Sequence, residues 1–223
     1  MEETPAEPLR ERIRATFLAP RQLWSRLEGA TPWLDVLYIS TIVAVLSVLA
    51  VPEEVFIEPM REAVTRRGEP VEITSPPAEI VRWGRALAML ATLATHPMIA
   101  FMLAGFLTVV FSVLGGGRGT YREYLSLSCH ALLIPALGTI LAIVARLIMG
   151  LAGSDPFELF DLEPRGLLSA TALAIDPFVV WMLVVLGIAT AQVDGRRQPW
   201  RAVLVLVGAY LVLLLVRASL AAR

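Results

Sequence analysis

Ionisable side chains within apolar segments are the residues of this sequence that could do chemistry. Arg146 is the one basic residue well inside an apolar run of membrane-spanning length, and Asp176 opens the next such run. A charge at the centre of a bilayer costs about 3 kcal/mol unless it is paired or reaches the interface. We therefore predict a structural ion pair between Arg146 and Asp176. The alternatives are a substrate or ion pathway at Arg146, or a side chain that extends to the membrane surface.

Two histidines and one cysteine lie in the same apolar runs. His96 and His130 belong to different predicted spans and to opposite halves of the bilayer, so we do not expect them to share a ligand. A hydrogen bond from each to a backbone or hydroxyl group is the prediction. Cys129 is the only cysteine, and adjacent residues of a helix point in different directions. The sequence therefore predicts no metal site and no cofactor.

The sequence lacks the residue patterns that enzymes use. It contains no Ser/His/Asp set, no His-Glu-x-x-His and no paired carboxylates inside an apolar run. The glycine run at residues 115–119 lacks the Gly-Lys-Ser/Thr of a phosphate-binding loop, and we interpret it as a tight turn. We predict that the protein is not an enzyme.

Composition indicates a membrane protein. Of 223 residues, 57% are hydrophobic and 17% charged, whereas soluble domains carry about 25% charged residues. The sequence predicts an all-α, polytopic membrane helix bundle. A net charge of −1 gives no reason to expect nucleic acid as a partner. All 19 basic residues are arginine, a bias typical of GC-rich bacterial genomes.

Apolar runs long enough to cross about 30 Å of hydrocarbon predict five spans. The stretch 86–117 is too long for one simple crossing, so we divide it at His96-Pro97 and predict an amphipathic helix at 79–95 before the second span. Pro135 interrupts the third span. Asp176-Pro177 marks the start of the fourth as an N-cap and first helical residue. The transmembrane domain is residues 33–220, with spans at about 33–51, 97–116, 121–150, 176–193 and 200–220 and a loop at 52–85.

Residues 1–32 form a predicted cytoplasmic segment in which arginines alternate with large apolar residues. Such amphipathic helices lie on anionic membrane surfaces, and Pro20 divides this one. A second interpretation, equally open and compatible with the first, is a solvated helix pair packed on the underside of the bundle. The candidate membrane-surface residues are Arg10, Arg14, Phe17, Pro20 and Trp24.

Short loops predict the orientation. Ten arginines lie in the N-terminal segment and in the loops around 115–123 and 194–201. Short arginine-rich loops stay on the cytoplasmic side. We therefore predict the N-terminus inside, residues 52–85 outside and, after five spans, the C-terminus outside.

Several motifs occur in a recognisable order. Phe17-x-x-Pro20-x-x-x-Trp24 precedes the first span, Gly116-Gly117-Arg118-Gly119-Thr120-Tyr121 opens the third with Pro135 inside it, and Asp176-Pro177-Phe178-Val179-Val180-Trp181, followed by Gly187, opens the fourth. In these motifs the chain resembles the bacterial branch of the Yip-domain (YIPF-like) family, the Ypt/Rab GTPase-interacting integral membrane proteins. The resemblance covers most of residues 15–215. Cys129-His130 departs from the family's usual pattern near Pro135.

The resemblance implies a five-span bundle with a cytoplasmic N-terminus in the bacterial inner membrane. Eukaryotic relatives contact prenylated Rab GTPases, a role a bacterium lacks, whereas some bacterial members look like accessory subunits of ABC-type efflux systems. We predict a non-catalytic membrane adaptor that binds other membrane proteins or organises lipid. The alternative is a small channel or transporter using Arg146 and Asp176.

Two further expectations concern assembly. Gly187 and Ala191 form a small-x-x-x-small pair, which favours close packing within the bundle over a homo-oligomer interface. Removing residues 1–30 is expected to leave a bundle that still inserts but no longer co-purifies with its partner.

Overall fold

The computed structural model describes residues 7–28, 30–51, 78–151, 175–195 and 197–221, and every regular element in these ranges is helical. The predicted all-α class is confirmed. The helices are α1 (Leu9–Leu18), α2 (Pro20–Leu27), α3 (Leu34–Ser47, continued by a 3₁₀ turn Val48–Ala50), α4 (Ala78–Leu107, continued by a π-helix Thr108–Leu114), α5 (Tyr121–Ala131), α6 (Leu133–Leu151), α7 (Pro177–Asp194) and α8 (Pro199–Ala221).

Four helical segments of the described ranges are long and apolar enough to cross a membrane. They are Val81–Leu114, Tyr121–Ala145, Pro177–Asp194 and Pro199–Leu220. The predicted first span corresponds to a shorter apolar helix, Leu34–Ala50. At 1.5 Å per residue this helix is about 25 Å long, less than the roughly 30 Å of a hydrocarbon core.

The predicted division at His96-Pro97 is wrong. α4 runs without a break from Ala78 to Leu107 with Pro97 inside it, so residues 79–95 are the first part of the same helix. Proline removes one backbone hydrogen-bond donor from a helix. The other backbone groups would find no partner in hydrocarbon if the helix ended there, so the helix continues and keeps its remaining hydrogen bonds. The second apolar segment therefore begins at Val81, not at residue 97.

Pro135 does interrupt the third span, as predicted. α5 ends at Ala131, a turn follows at Leu132, and Pro135 is the third residue of α6. In a continuous helix the proline ring would clash with the carbonyl group of Ala131, four residues earlier. The two helices meet at Leu132, whose N–H still bonds to the Ser128 carbonyl oxygen at 3.0 Å.

Helix α5 is at the centre of the bundle. It begins with a capping box in which Thr120 and Glu123 bond each other's backbone N–H, and every residue from Tyr124 to Ala131 is buried. It packs against α1, α2, α3, α4, α6 and α7. The site described below is built on this helix.

The two C-terminal helices pack closely at a glycine. α7 starts where predicted, with the Asp176 carboxylate accepting hydrogen bonds from the N–H groups of Phe178 (2.7 Å) and Val179 (3.3 Å). Further along, a Cβ on Gly187 would lie 2.7 Å from the backbone nitrogen of Val203 in α8. Gly187 therefore serves packing inside the bundle.

The segments that carry most arginines meet at one end of the molecule. The Gln192 amide of α7 donates to the Arg21 carbonyl group of α2. Arg197 donates to the carbonyl oxygens of Gly115 (3.1 Å) and Phe111 (3.4 Å), at the end of α4. We call this the arginine-bearing end; it joins α1, α2, the 115–120 turn and the loop after α7.

Candidate functional site: a buried arginine cluster

Arg12 of α1 is buried in the bundle, with only 3% of its surface exposed. Its Nε donates to the Glu7 carbonyl oxygen at 3.0 Å. Nη2 donates to the Asp35 carboxylate, and Nη1 donates to His130 Nε2 at 3.2 Å. One guanidinium thus joins the N-terminal segment, α3 and α5. We call Arg12, Asp35 and His130 the arginine cluster.

Helix α1 buries a face that its apolar pattern does not predict. The buried residues are Arg12, Ala15 and Thr16, and the Thr16 hydroxyl donates to the Arg12 carbonyl oxygen at 3.0 Å. Leu18 is 75% exposed. Small side chains beside Arg12 let the helix approach α5 closely enough for the guanidinium to reach His130.

The partners of His130 fix its tautomer. Nδ1 lies 2.8 Å from the Ser126 carbonyl oxygen, which can only accept, so Nδ1 carries the proton. Nε2 faces the Arg12 guanidinium, which can only donate, so Nε2 is the acceptor and the ring is neutral. The predicted backbone bond of His130 is confirmed. So is a hydroxyl bond for His96, whose Nε2 lies 3.1 Å from Ser40 Oγ.

Asp35 supplies the negative charge of the cluster. Its Oδ1 also accepts from the Val36 N–H at 2.9 Å, and 41% of the side chain is exposed. The Ser126 hydroxyl donates to the Pro32 carbonyl oxygen at 2.7 Å, which ties the turn before α3 to α5. Burying a guanidinium costs much less free energy when the group is paired and hydrogen-bonded than when it is isolated. The cluster can therefore hold α1 against the bundle.

The motif residues of the N-terminal segment divide between the bundle and the surface. Phe17 packs edge-on against Trp181 of α7, with ring centroids 5.7 Å apart. Trp24 is buried in the hydrophobic core, and Pro20 is the first residue of α2. Phe17 and Trp24 thus face the bundle, whereas Arg10 and Arg14 are exposed. This arrangement agrees with the packed-helix interpretation. A position of the same helices on the membrane surface is compatible with it and stays a prediction.

The predicted pair of Arg146 and Asp176 stays a prediction. The Asp176 carboxylate caps α7. Arg146 lies in α6, but its side chain falls outside the part of the chain that the structure describes. Cys129 is fully buried next to His130. Within the described ranges, no group of three His, Cys, Asp or Glu residues could hold a metal ion.

Sequence reasoning missed the arginine cluster, although one signal for it was present. Asp35 is the only charged residue in the first apolar run, and a carboxylate there needs a partner. The partner could not be chosen from sequence, because Arg12 is one of five arginines in the preceding segment.

Comparison with known proteins agrees with the motifs. Residues 14–220 match the Yip1 domain, a range that includes Asp35 and His130 and begins just after Arg12. Neither the search of curated proteins nor that of solved structures gave a match. The match covers most of the chain and runs from α1 to α8, so this chain belongs to the Yip1-domain family of membrane proteins.

Proposed function

We propose that this chain is a non-catalytic adaptor or accessory subunit of a bacterial cytoplasmic membrane, which binds another membrane protein through α1. An ABC-type efflux system is the class of partner we favour, and local organisation of lipid is a second part of the same role. The observation that supports this proposal is the arginine cluster, because it fixes the N-terminal helices on the bundle in one orientation.

A fixed α1 presents a defined outer face. Arg10 and Arg14 are exposed and lie four residues apart, hence on the same side of the helix. Leu18, 75% exposed, continues that side by one more turn. Two positive charges followed by an apolar side chain are complementary to a partner that offers carboxylates beside an apolar patch. We call Arg10, Arg14 and Leu18 the outer face of α1.

We also propose five crossings, with the N-terminus inside and the C-terminus outside. Leu34–Ala50 is then the first crossing, and the arginine-bearing end is cytoplasmic, in keeping with the distribution of arginine in short loops.

Cysteine labelling of intact cells tests this topology. Glu69→Cys lies in the predicted outside loop, and Arg118→Cys replaces an exposed residue of the arginine-bearing end. We expect a membrane-impermeant maleimide to label Glu69→Cys directly and Arg118→Cys only after permeabilisation. The native Cys129 is fully buried and should not react. Labelling of Arg118→Cys alone in intact cells would reverse the topology.

The adaptor role is tested by a mild-detergent pull-down that compares two double variants of equal charge. Arg10→Gln with Arg14→Gln alters the outer face of α1, whereas Arg118→Gln with Arg201→Gln removes two exposed arginines elsewhere at the same end. We expect the first pair to reduce recovery of the wild-type partner about tenfold, as a loss of about 1.4 kcal/mol implies. Equal recovery with both pairs would contradict a role for α1.

The transporter alternative predicts proton or solute flux through the purified protein in liposomes, whereas the adaptor proposal predicts none. The arginine cluster contains a histidine and a carboxylate, groups that proton pathways use. An adaptor should give no proton or solute flux when purified and reconstituted alone. Flux that disappears in His130→Leu would overturn the adaptor proposal.

A further inference from the structure

An open groove of about 720 Å³ lies where the turn before α3 meets the start of α5. Its walls are mainly apolar, and Arg122 is at its rim. The lining residues are Ala30, Thr31, Pro32, Trp33, Leu34, Asp35, Tyr38 and Arg122. Leu34 and Tyr38 are 66% and 68% exposed on the outer side of α3, so the groove continues onto a surface that faces lipid in a membrane.

The charges along this groove do not cancel. Arg122 is exposed and makes no hydrogen bond or ion pair with the described residues. Asp35 also borders the groove, but its carboxylate is already bonded to Arg12. Glu123, next to Arg122, turns its carboxylate to the Thr120 N–H at 2.6 Å. Glu123 does not line the groove, so Arg122 is the charged lining residue that has no ion-pair partner among the described residues.

The position of the groove identifies its occupant. Exposed Tyr121 and Trp200 open α5 and α8 at the arginine-bearing end, and such aromatic residues mark the level of lipid headgroups. At that level the phosphate of a lipid can contact Arg122 while its hydrocarbon chain contacts the apolar wall of the groove. A peptide would need partners for its backbone groups, and the lining offers few polar atoms.

We propose that this groove binds an anionic phospholipid, with its phosphate at Arg122 and one acyl chain along Trp33, Leu34 and Tyr38. The site lies beside the arginine cluster, because Asp35 belongs to both. A bound lipid would cover the exposed side of that carboxylate and exclude water from its ion pair with Arg12. This ligand deepens the lipid-organising part of the proposed function and does not depend on the binding of a protein partner.

Native mass spectrometry of the full-length protein in mild detergent measures the affinity. The probes are phosphatidylglycerol and phosphatidylcholine with identical chains. We expect phosphatidylglycerol to bind about fivefold more tightly, because one arginine near anionic lipid contributes about 1 kcal/mol. Arg122→Gln should remove that preference. Arg118→Gln, an exposed arginine four residues earlier that does not line the groove, should keep it.

A second measurement places the lipid. Brominated phosphatidylglycerol in phosphatidylcholine vesicles should quench tryptophan fluorescence, and Trp33→Phe identifies the part that comes from Trp33. Arg122→Gln should reduce that part, and Ala30→Phe, which fills the groove, should abolish it. Equal loss in Arg118→Gln and Arg122→Gln would indicate a diffuse basic surface and overturn the site. Equal binding of the two lipids, or quenching of Trp33 unchanged by Arg122→Gln, would also overturn it.

Discussion

Arg12→Ala is expected to destabilise the protein by about 2–3 kcal/mol. The substitution leaves His130 Nε2 buried without a donor and removes the partner of Asp35. Breaking a fully buried ion pair costs about 3–5 kcal/mol, and partial exposure of the Asp35 carboxylate lowers that figure. The measurement is detergent- or heat-induced unfolding of the purified protein, followed by helical circular dichroism.

Arg14→Ala is the matched control for this prediction. It removes the same side chain from an exposed position on the same helix, and such surface changes usually stay within about 0.5 kcal/mol. Arg12→Lys should recover only part of the loss, because an ammonium group cannot reproduce the planar fork that reaches both Asp35 and His130. If Arg12→Ala and Arg14→Ala unfold alike, the cluster does not hold α1.

Deletion of residues 1–30 is expected to have the largest effect. The sequence suggested that a truncated bundle would simply lose its partner. In the structure, however, the deletion removes four residues of the hydrophobic core, Ala15, Leu23, Trp24 and Leu27, together with Arg12. Burial of each large apolar side chain contributes about 1.5–3 kcal/mol, so the loss is on the order of 5 kcal/mol, close to the whole stability of a typical domain. We expect a chain that inserts but aggregates in mild detergent.

Size-exclusion chromatography of the truncated and full-length proteins checks this result. Leu23→Ala with Leu27→Ala keeps the chain length and removes only core contacts, and it should reproduce a large part of the instability. A truncated protein that is monodisperse and unfolds at the wild-type midpoint would contradict the role of α1 and α2 in the core. Since truncation disturbs the fold, point variants on the outer face of α1 are the cleaner probes of partner binding.

Most helix positions could be predicted from sequence because each is a local property. The fourth apolar run was predicted at 176–193, and α7 is Pro177–Asp194; Asp176 and Pro177 specify that start by themselves. The family assignment rested on ordered motifs, and the domain match supports it.

The effect of a proline on a helix could not be predicted from the local sequence. Pro97 and Pro135 both lie in apolar runs, yet the helix continues through the first and breaks before the second. A proline in a helix leaves a carbonyl group that neighbours must satisfy, and those neighbours come from distant parts of the chain. The sequence near each proline does not contain that information.

The arginine cluster could not be predicted for the same reason. The spacing of apolar residues in the sequence indicates the apolar side of α1. The side that is buried in the structure depends instead on a contact with α5, the hydrogen bond from Arg12 to the imidazole of His130. Phe17 and Trp181 each belonged to a separate motif, and their contact became apparent only in the fold.

The position of α1 and α2 has a consequence for the order of biogenesis. These helices are synthesised first, but Arg12 bonds to a residue 118 positions later and the Arg21 carbonyl group to one 171 positions later. The N-terminal helices therefore cannot complete their contacts with the bundle until α5 and α7 have been synthesised. Contacts between such distant positions form slowly. Docking of the first-made segment is thus a late step of assembly, and the arginine cluster forms only in chains whose later spans are already in place.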